Sequence, residues 1–83
     1  MTINVARVDE AARFARVWKM AGLDSDGDRL RKLVSDLRLS AKVSGDGRSV
    51  DDLEEVARYL GHHTSGGTAE RLLEKLADRL RAA

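Results

Sequence analysis

The sequence predicts an all-α fold, a compact bundle of about four short amphipathic helices forming one domain over residues 1–83. Three observations predict it. Proline is absent and seven glycines punctuate the chain, leaving four blocks between them. Within each block apolar residues recur at i, i+3, i+4 and i+7, the repeat that places them on one helix face. Most blocks also open on a residue type able to cap a helix or to place negative charge at its start.

The first block spans about Val8 to Ala21, with Ala11, Phe14, Ala15, Trp18 and Ala21 on one stripe and Asp9, Arg13 and Arg16 opposite. Asp9 and Glu10 are expected in its first turn and Lys19 near its last, which suits the helix dipole. Gly22 is the expected stop. Val17 and Met20 widen the stripe, which points to contacts on two sides. The second block follows Asp24-Ser25-Asp26-Gly27-Asp28, an entry rich in caps, and carries Leu30, Leu33, Val34 and Leu37. After Leu37 the period changes: Leu39, Ala41 and Val43 alternate with Ser40 and Lys42. Ile3 and Val5 alternate too. A minor two-stranded ribbon between these segments is one reading, and a fraying helix end running into a loop is the other.

Ser49 to Leu60 forms the third block. Ser49 and Asp52 have the spacing of a capping box, Leu53, Val56, Ala57 and Leu60 form the stripe, and Gly61 is the expected end. His62 to Gly67 reads as a connector. A last helix runs from a Thr68 cap to about Arg81. Its Ala69, Leu73, Leu76, Leu80 and Ala83 step by four and three like a coiled-coil seam, with Leu72 alongside, so a homodimer through this helix is an expectation. Glu70, Glu74 and Asp78 form an acidic row on it, and Arg71, Lys75 and Arg79 a basic one.

Composition bounds what the chain can do. Hydrophobic residues make up 42%, but eleven of them are alanine, and Phe14, Trp18 and Tyr59 are the whole aromatic complement. So light a core makes self-association a common remedy. There is no cysteine, which favours a reducing, cytoplasmic setting over a disulfide-stapled extracellular one. No apolar run approaches a membrane span, and the first residues lack the layout of a secretory signal, so no membrane partner is expected. Net charge is +1. Residues 1–48 hold ten basic and seven acidic residues, a net +3, while residues 49–83 hold five and seven, a net −2. That asymmetry suits either packing between the halves or a basic docking surface.

Two stretches resemble known motifs and depart from them at the residues their chemistry needs. Asp24-Ser25-Asp26-Gly27-Asp28 resembles the opening of an EF-hand calcium loop, and Gly45 to Leu53 its second half. The sixth position, which should be glycine, is Arg29, and the twelfth, which should be glutamate, is Ser35. The first stretch is therefore expected to cap a helix and do turn work. The segment from Ser49 to Gly61, with the helix after it, resembles a bacterial repressor's helix-turn-helix, but the turn is long and the would-be recognition helix is acidic. His62 and His63 lack a third ligand at a suitable spacing, so no metal site is expected. Ser65-Gly66-Gly67 lacks the lysine of a phosphate loop.

No nucleophile–base pair or acid–base pair stands out, and no enzyme activity or cofactor is expected. The sequence points to a non-catalytic protein–protein interaction module of adaptor, docking or inhibitor type. Arg13, Arg16, Val17, Trp18 and Met20 are the candidate partner-binding residues. The protein partner is not identified by the sequence. A small nucleic-acid-binding regulator is the alternative, using the basic faces of the N-terminal half: Arg13, Arg16 and Lys19, or Arg29, Arg31, Lys32 and Arg38.

Overall fold

A computed structural model describes residues 3–61 and 65–82. Four helices follow one another: α1 (Val5–Ala21), α2 (Asp24–Val43), α3 (Gly47–Arg58) and α4 (Gly66–Ala82). Each packs against two others in a ring, α1 on α2, α2 on α3, α3 on α4 and α4 back on α1, and the α1–α4 interface is the most extensive. Cross-helix pairs give the directions. Trp18 meets Gly27, Arg31 meets Leu60, Arg79 meets Ser49 and Asp9 meets Arg81. Every neighbour in the ring is therefore antiparallel, giving an up-down-up-down bundle measuring 34 × 21 × 18 Å.

α1 begins three residues earlier than its periodicity indicates. Asn4 is its N-cap, and its side-chain oxygen accepts from the Ala6 N–H at 2.9 Å. Asp9 and Glu10 consequently lie in the second turn, and Asp9 pairs with Arg81 rather than serving the dipole. Gly22 ends the helix as expected. Its φ of 68° is left-handed, and its N–H donates to the Trp18 carbonyl at 2.8 Å. Only Gly22 and Leu23 then separate α1 from α2.

The aspartate-rich entry is helix rather than loop. Leu23 occupies the N-cap without a side-chain bond, and Asp24 and Asp26 sit in the first turn, where their charge suits the dipole. Gly27 does no turn work. It is buried inside α2 because the Trp18 indole lies against it. The two-stranded ribbon is not formed: α2 runs through Val43, and Val5 belongs to α1. Ala41 simply extends the buried stripe of Leu30, Val34 and Leu37 by one turn.

α3 also starts early. Asp46, not Ser49, is its N-cap. The carboxylate accepts from the Ser49 N–H at 3.1 Å and from the Ser49 hydroxyl at 2.6 Å. Ser49 is fully buried, and its hydroxyl oxygen accepts from Arg79 at 2.8 Å, so one serine joins the start of α3 to the end of α4. α3 stops at Arg58, before Gly61. α4 starts at Gly66, ahead of Thr68.

The core gathers the predicted stripes. Val8, Ala11, Ala15 and Trp18 of α1, the α2 stripe, Leu53 and Val56 of α3, Leu60 beyond it, and Ala69, Leu73 and Leu76 of α4 are all buried. The helix-four seam thus faces inward, with Leu72 and Leu80 at its margin. It is not free to receive a second copy, and Ala83 lies outside the described residues. No helix among the described residues is long and apolar enough to cross a membrane.

Candidate interaction surface

Six large apolar side chains stand exposed among the described residues, and five of them lie on α1, α2 or the turn between. Val17 and Met20 lie on α1, Leu23 in the turn, and Leu39 and Val43 on α2. The sixth, Tyr59, follows α3 and is the least exposed. Isolated exposed apolar residues are ordinary on a protein surface. Val17, Met20 and Leu23 gather near the α1–α2 turn, while Leu39 and Val43 stand at the other end of α2, about 24 Å or more along the helix from Leu23.

The helical repeat explains the placement. α1 turns Ala11, Ala15 and Trp18 inward, and positions 13, 17 and 20 fall on the opposite side. Arg13 is exposed there, as is Val17, and Met20 is 79% exposed. On α2, Leu39 and Val43 are 63% and 69% exposed, one turn apart on the side away from Leu37 and Ala41.

Between the two helices lies a shallow groove of about 230 Å³ with Phe14 and Leu33 as its apolar lining and Arg7, Glu10, Arg29, Lys32 and Asp36 around them. Phe14, expected in the buried stripe, is half-buried here, and the Arg29 guanidinium lies 5.7 Å from its ring centre. A second shallow depression continues the groove across the outside of α1 through Glu10, Arg13, Phe14 and Val17. The cations of this face have no ion partner, Arg29 meeting only the Phe14 ring. Arg7, Arg13, Arg29 and Lys32 form no ion pair among the described residues, whereas Arg16, Lys19, Arg31, Arg79 and Arg81 all do.

The five residues singled out from the sequence separate accordingly. Arg13, Val17 and Met20 are presented to solvent. Trp18 is not: at 3% exposure it is a core residue, held between Gly27 and the Arg31 guanidinium 5.6 Å from its ring centre. Arg16 reaches across to α4. Its Nε donates to Glu70 at 2.6 Å, and a terminal nitrogen lies 3.6 Å from Glu74. Lys19 reaches the other Glu70 oxygen at 3.2 Å. Glu70 is buried, and the Arg16 hydrogen bond holds its carboxyl below the ordinary glutamate value against the opposing effect of desolvation. Arg16 and Lys19 therefore fasten α1 to α4. The charge asymmetry between the two halves of the sequence is partly satisfied inside the fold.

Sequence reasoning passed over Leu23, Leu39 and Val43 as surface residues. The signal for Leu39 and Val43 is that each is apolar where the α2 stripe calls for a polar residue; Leu23 lies in the turn, outside either stripe. Among the described residues no group of three or more His, Cys, Asp or Glu could hold a metal ion, and His62 and His63 lie outside them. Asp24, Asp26 and Asp28 point their backbones along a helix rather than around a cation-sized loop. Comparison with family models, curated proteins and solved structures returns no match to this chain.

Proposed function

We propose that this chain is a non-catalytic protein-interaction module of adaptor, docking or inhibitor type, and that it binds through the outer face of α1 and α2. One observation carries the reading. Val17 and Met20 stand exposed beside a groove lined by Phe14 and Leu33, and Arg7, Arg13, Arg29 and Lys32 around it have no ion partner among the described residues, whereas Arg16 and Lys19 on the α4 side of α1 are paired. An apolar centre with charges around it is the usual anatomy of a protein docking site. α1 and α2 are joined by a two-residue turn and buttressed by Trp18, so the face is held in advance of binding and loses little conformational entropy when a partner arrives. A cytoplasmic setting accords with the absence of cysteine and of any membrane-length helix among the described residues.

Photo-crosslinking in the native host tests the reading. A benzophenone side chain in place of Val17 should give a discrete protein adduct, and the same group in place of Glu54, exposed on α3, should not. Met20→Asp should abolish the adduct while lowering the melting temperature by only a few degrees, since Met20 contributes little buried area and the cost is that of a carboxylate in the last turn of α1. Adducts from Glu54 alone would place the interface elsewhere.

A further inference from the structure

We infer that the α1–α2 face takes an acidic amphipathic helix belonging to another protein. The inference rests on the reading of this face as the interaction surface and adds the chemistry of its partner. Three features specify that chemistry. The first is shape. Phe14 and Leu33 line a groove between two antiparallel helices, and Val17 and Met20 continue its apolar character along α1. From Arg7 to Met20 the surface runs about 20 Å at 1.5 Å per residue, the length of a helix of three to four turns. A helix laid in such a groove presents apolar side chains at i, i+3 or i+4, and i+7.

The second is charge. Arg7, Arg13, Arg29 and Lys32 stand against Glu10 and Asp36 in and beside the groove, a net +2. With no partner among the described residues, the four cations are available to carboxylates flanking an incoming apolar stripe. Arg29 already covers the Phe14 ring, so a carboxylate meeting it would find its guanidinium in place.

The third is what the rest of the molecule lacks. In a symmetric dimer the same patch meets itself, bringing two net-positive faces together. In a head-to-tail contact the apolar stripe would need an apolar counterpart elsewhere. The counterpart would have to be Leu39 and Val43 beyond the groove, which the unpaired Arg38 and Lys42 flank, so positive charge would again meet positive; among the described residues α3 and α4 expose no large apolar side chain, and the α4 seam is buried. A nucleic acid would leave Val17, Met20 and Leu23 against phosphates, with Glu10 and Asp36 repelling them. A partner both acidic and apolar satisfies all of these features together.

The test is a selection from a displayed library of helical peptides whose outward positions carry Asp, Glu, Lys or Arg at random, made against the full chain at low salt. Enriched peptides should be acidic, with apolar residues at helical spacing. Their affinity should drop about tenfold or more on the double substitution Arg13→Glu and Lys32→Glu, and they should be lost on Met20→Asp. Both variants must retain the parent's circular dichroism and stay fully folded at the assay temperature. Peptides that are Met20-dependent but basic, or indifferent to the charge reversal, would overturn the partner class and leave the interface reading intact. An outcome with no Met20-dependent binder would overturn the interface reading and the inference with it. Sedimentation and a duplex-DNA titration complete the test. Self-association or duplex binding that Met20→Asp abolishes would assign the face to a second copy or to nucleic acid.

Discussion

Gly66 and Gly67 are neighbours in sequence, and alanine at each should move stability in opposite directions. A Cβ at Gly66 would lie 2.9 Å from the Lys19 Cβ, 3.0 Å from the Ala15 carbonyl oxygen and 3.1 Å from the Lys19 Cα. Two of these atoms are backbone of α1, so relief requires the helices to separate at their most extensive interface. Overpacking of this kind costs about 1–3 kcal/mol. The opposing gain, alanine's better helix propensity, is at most about 1 kcal/mol and smaller at a helix's first residue. Gly66→Ala should therefore destabilise by about 1–2 kcal/mol, which for a chain of this size lowers the melting temperature by about 4–15 °C. At Gly67 the nearest atom is the Lys19 Cδ at 3.1 Å, part of a side chain that can swing away. There propensity prevails, and Gly67→Ala should be neutral or stabilising by about 0.5 kcal/mol. Urea unfolding followed by circular dichroism, read at constant slope, measures both. A Gly66→Ala protein as stable as the parent, or equal shifts at the two positions, would refute the close-approach argument.

Other substitutions probe other joints. Gly27→Ala places a Cβ 2.9 Å from the Trp18 Nε1, so it should cost about 1 kcal/mol despite improving helix propensity; Trp18 emission should shift, and an unchanged spectrum with raised stability would contradict the packing. Glu70→Gln should cost about 1–2 kcal/mol at neutral pH by removing the charged acceptor between Arg16 and Lys19. Because the folded carboxyl titrates below the ordinary glutamate value, its contribution is complete above that value and is lost as pH falls through the folded one. Parent and variant stabilities should therefore converge in acid, and a gap constant down to pH 3 would argue against the pair. Asp46→Ala should cost about 1 kcal/mol through loss of the α3 cap. Its carboxyl is likewise held low by the Ser49 hydrogen bonds, so that loss too should fade as pH falls.

The four helices were legible because each has one strong apolar stripe, and stripes report burial directly. What misled was residues satisfying two patterns at once. Leu39, Ala41 and Val43 alternate like a strand, yet Ala41 continues the inward row while Leu39 and Val43 form a second, outward row. Two apolar faces on one helix read locally as period two. Ser49 and Asp46 both qualify as caps by type. The choice between them depends on Arg79, thirty residues away, occupying the serine hydroxyl. Gly27 looked like a turn residue because the indole that requires it belongs to another helix. The candidate surface was half legible for a similar reason. Arg13, Val17 and Met20 are visible from α1 alone, whereas the roles of Arg16 and Trp18 depend on Glu70 and Gly27 across the bundle.

The pairing of α1 with α4 has a consequence for how the chain reaches its fold. Gly66 sits on Ala15 and Lys19 at one end of this interface, and Arg81 meets Asp9 at the other. The largest interface thus joins residues from 47 (Lys19 and Gly66) to 72 (Asp9 and Arg81) apart in sequence, while α1–α2 and α2–α3 are hairpins closed by two- and three-residue turns. On the ribosome the hairpins emerge first, and the α4-facing side of α1 stays uncovered until α4 clears the exit tunnel. Arg16 and Lys19 keep that waiting surface charged at its edge. A nascent chain is thereby shielded from neighbours by the same side chains that later fasten the bundle shut.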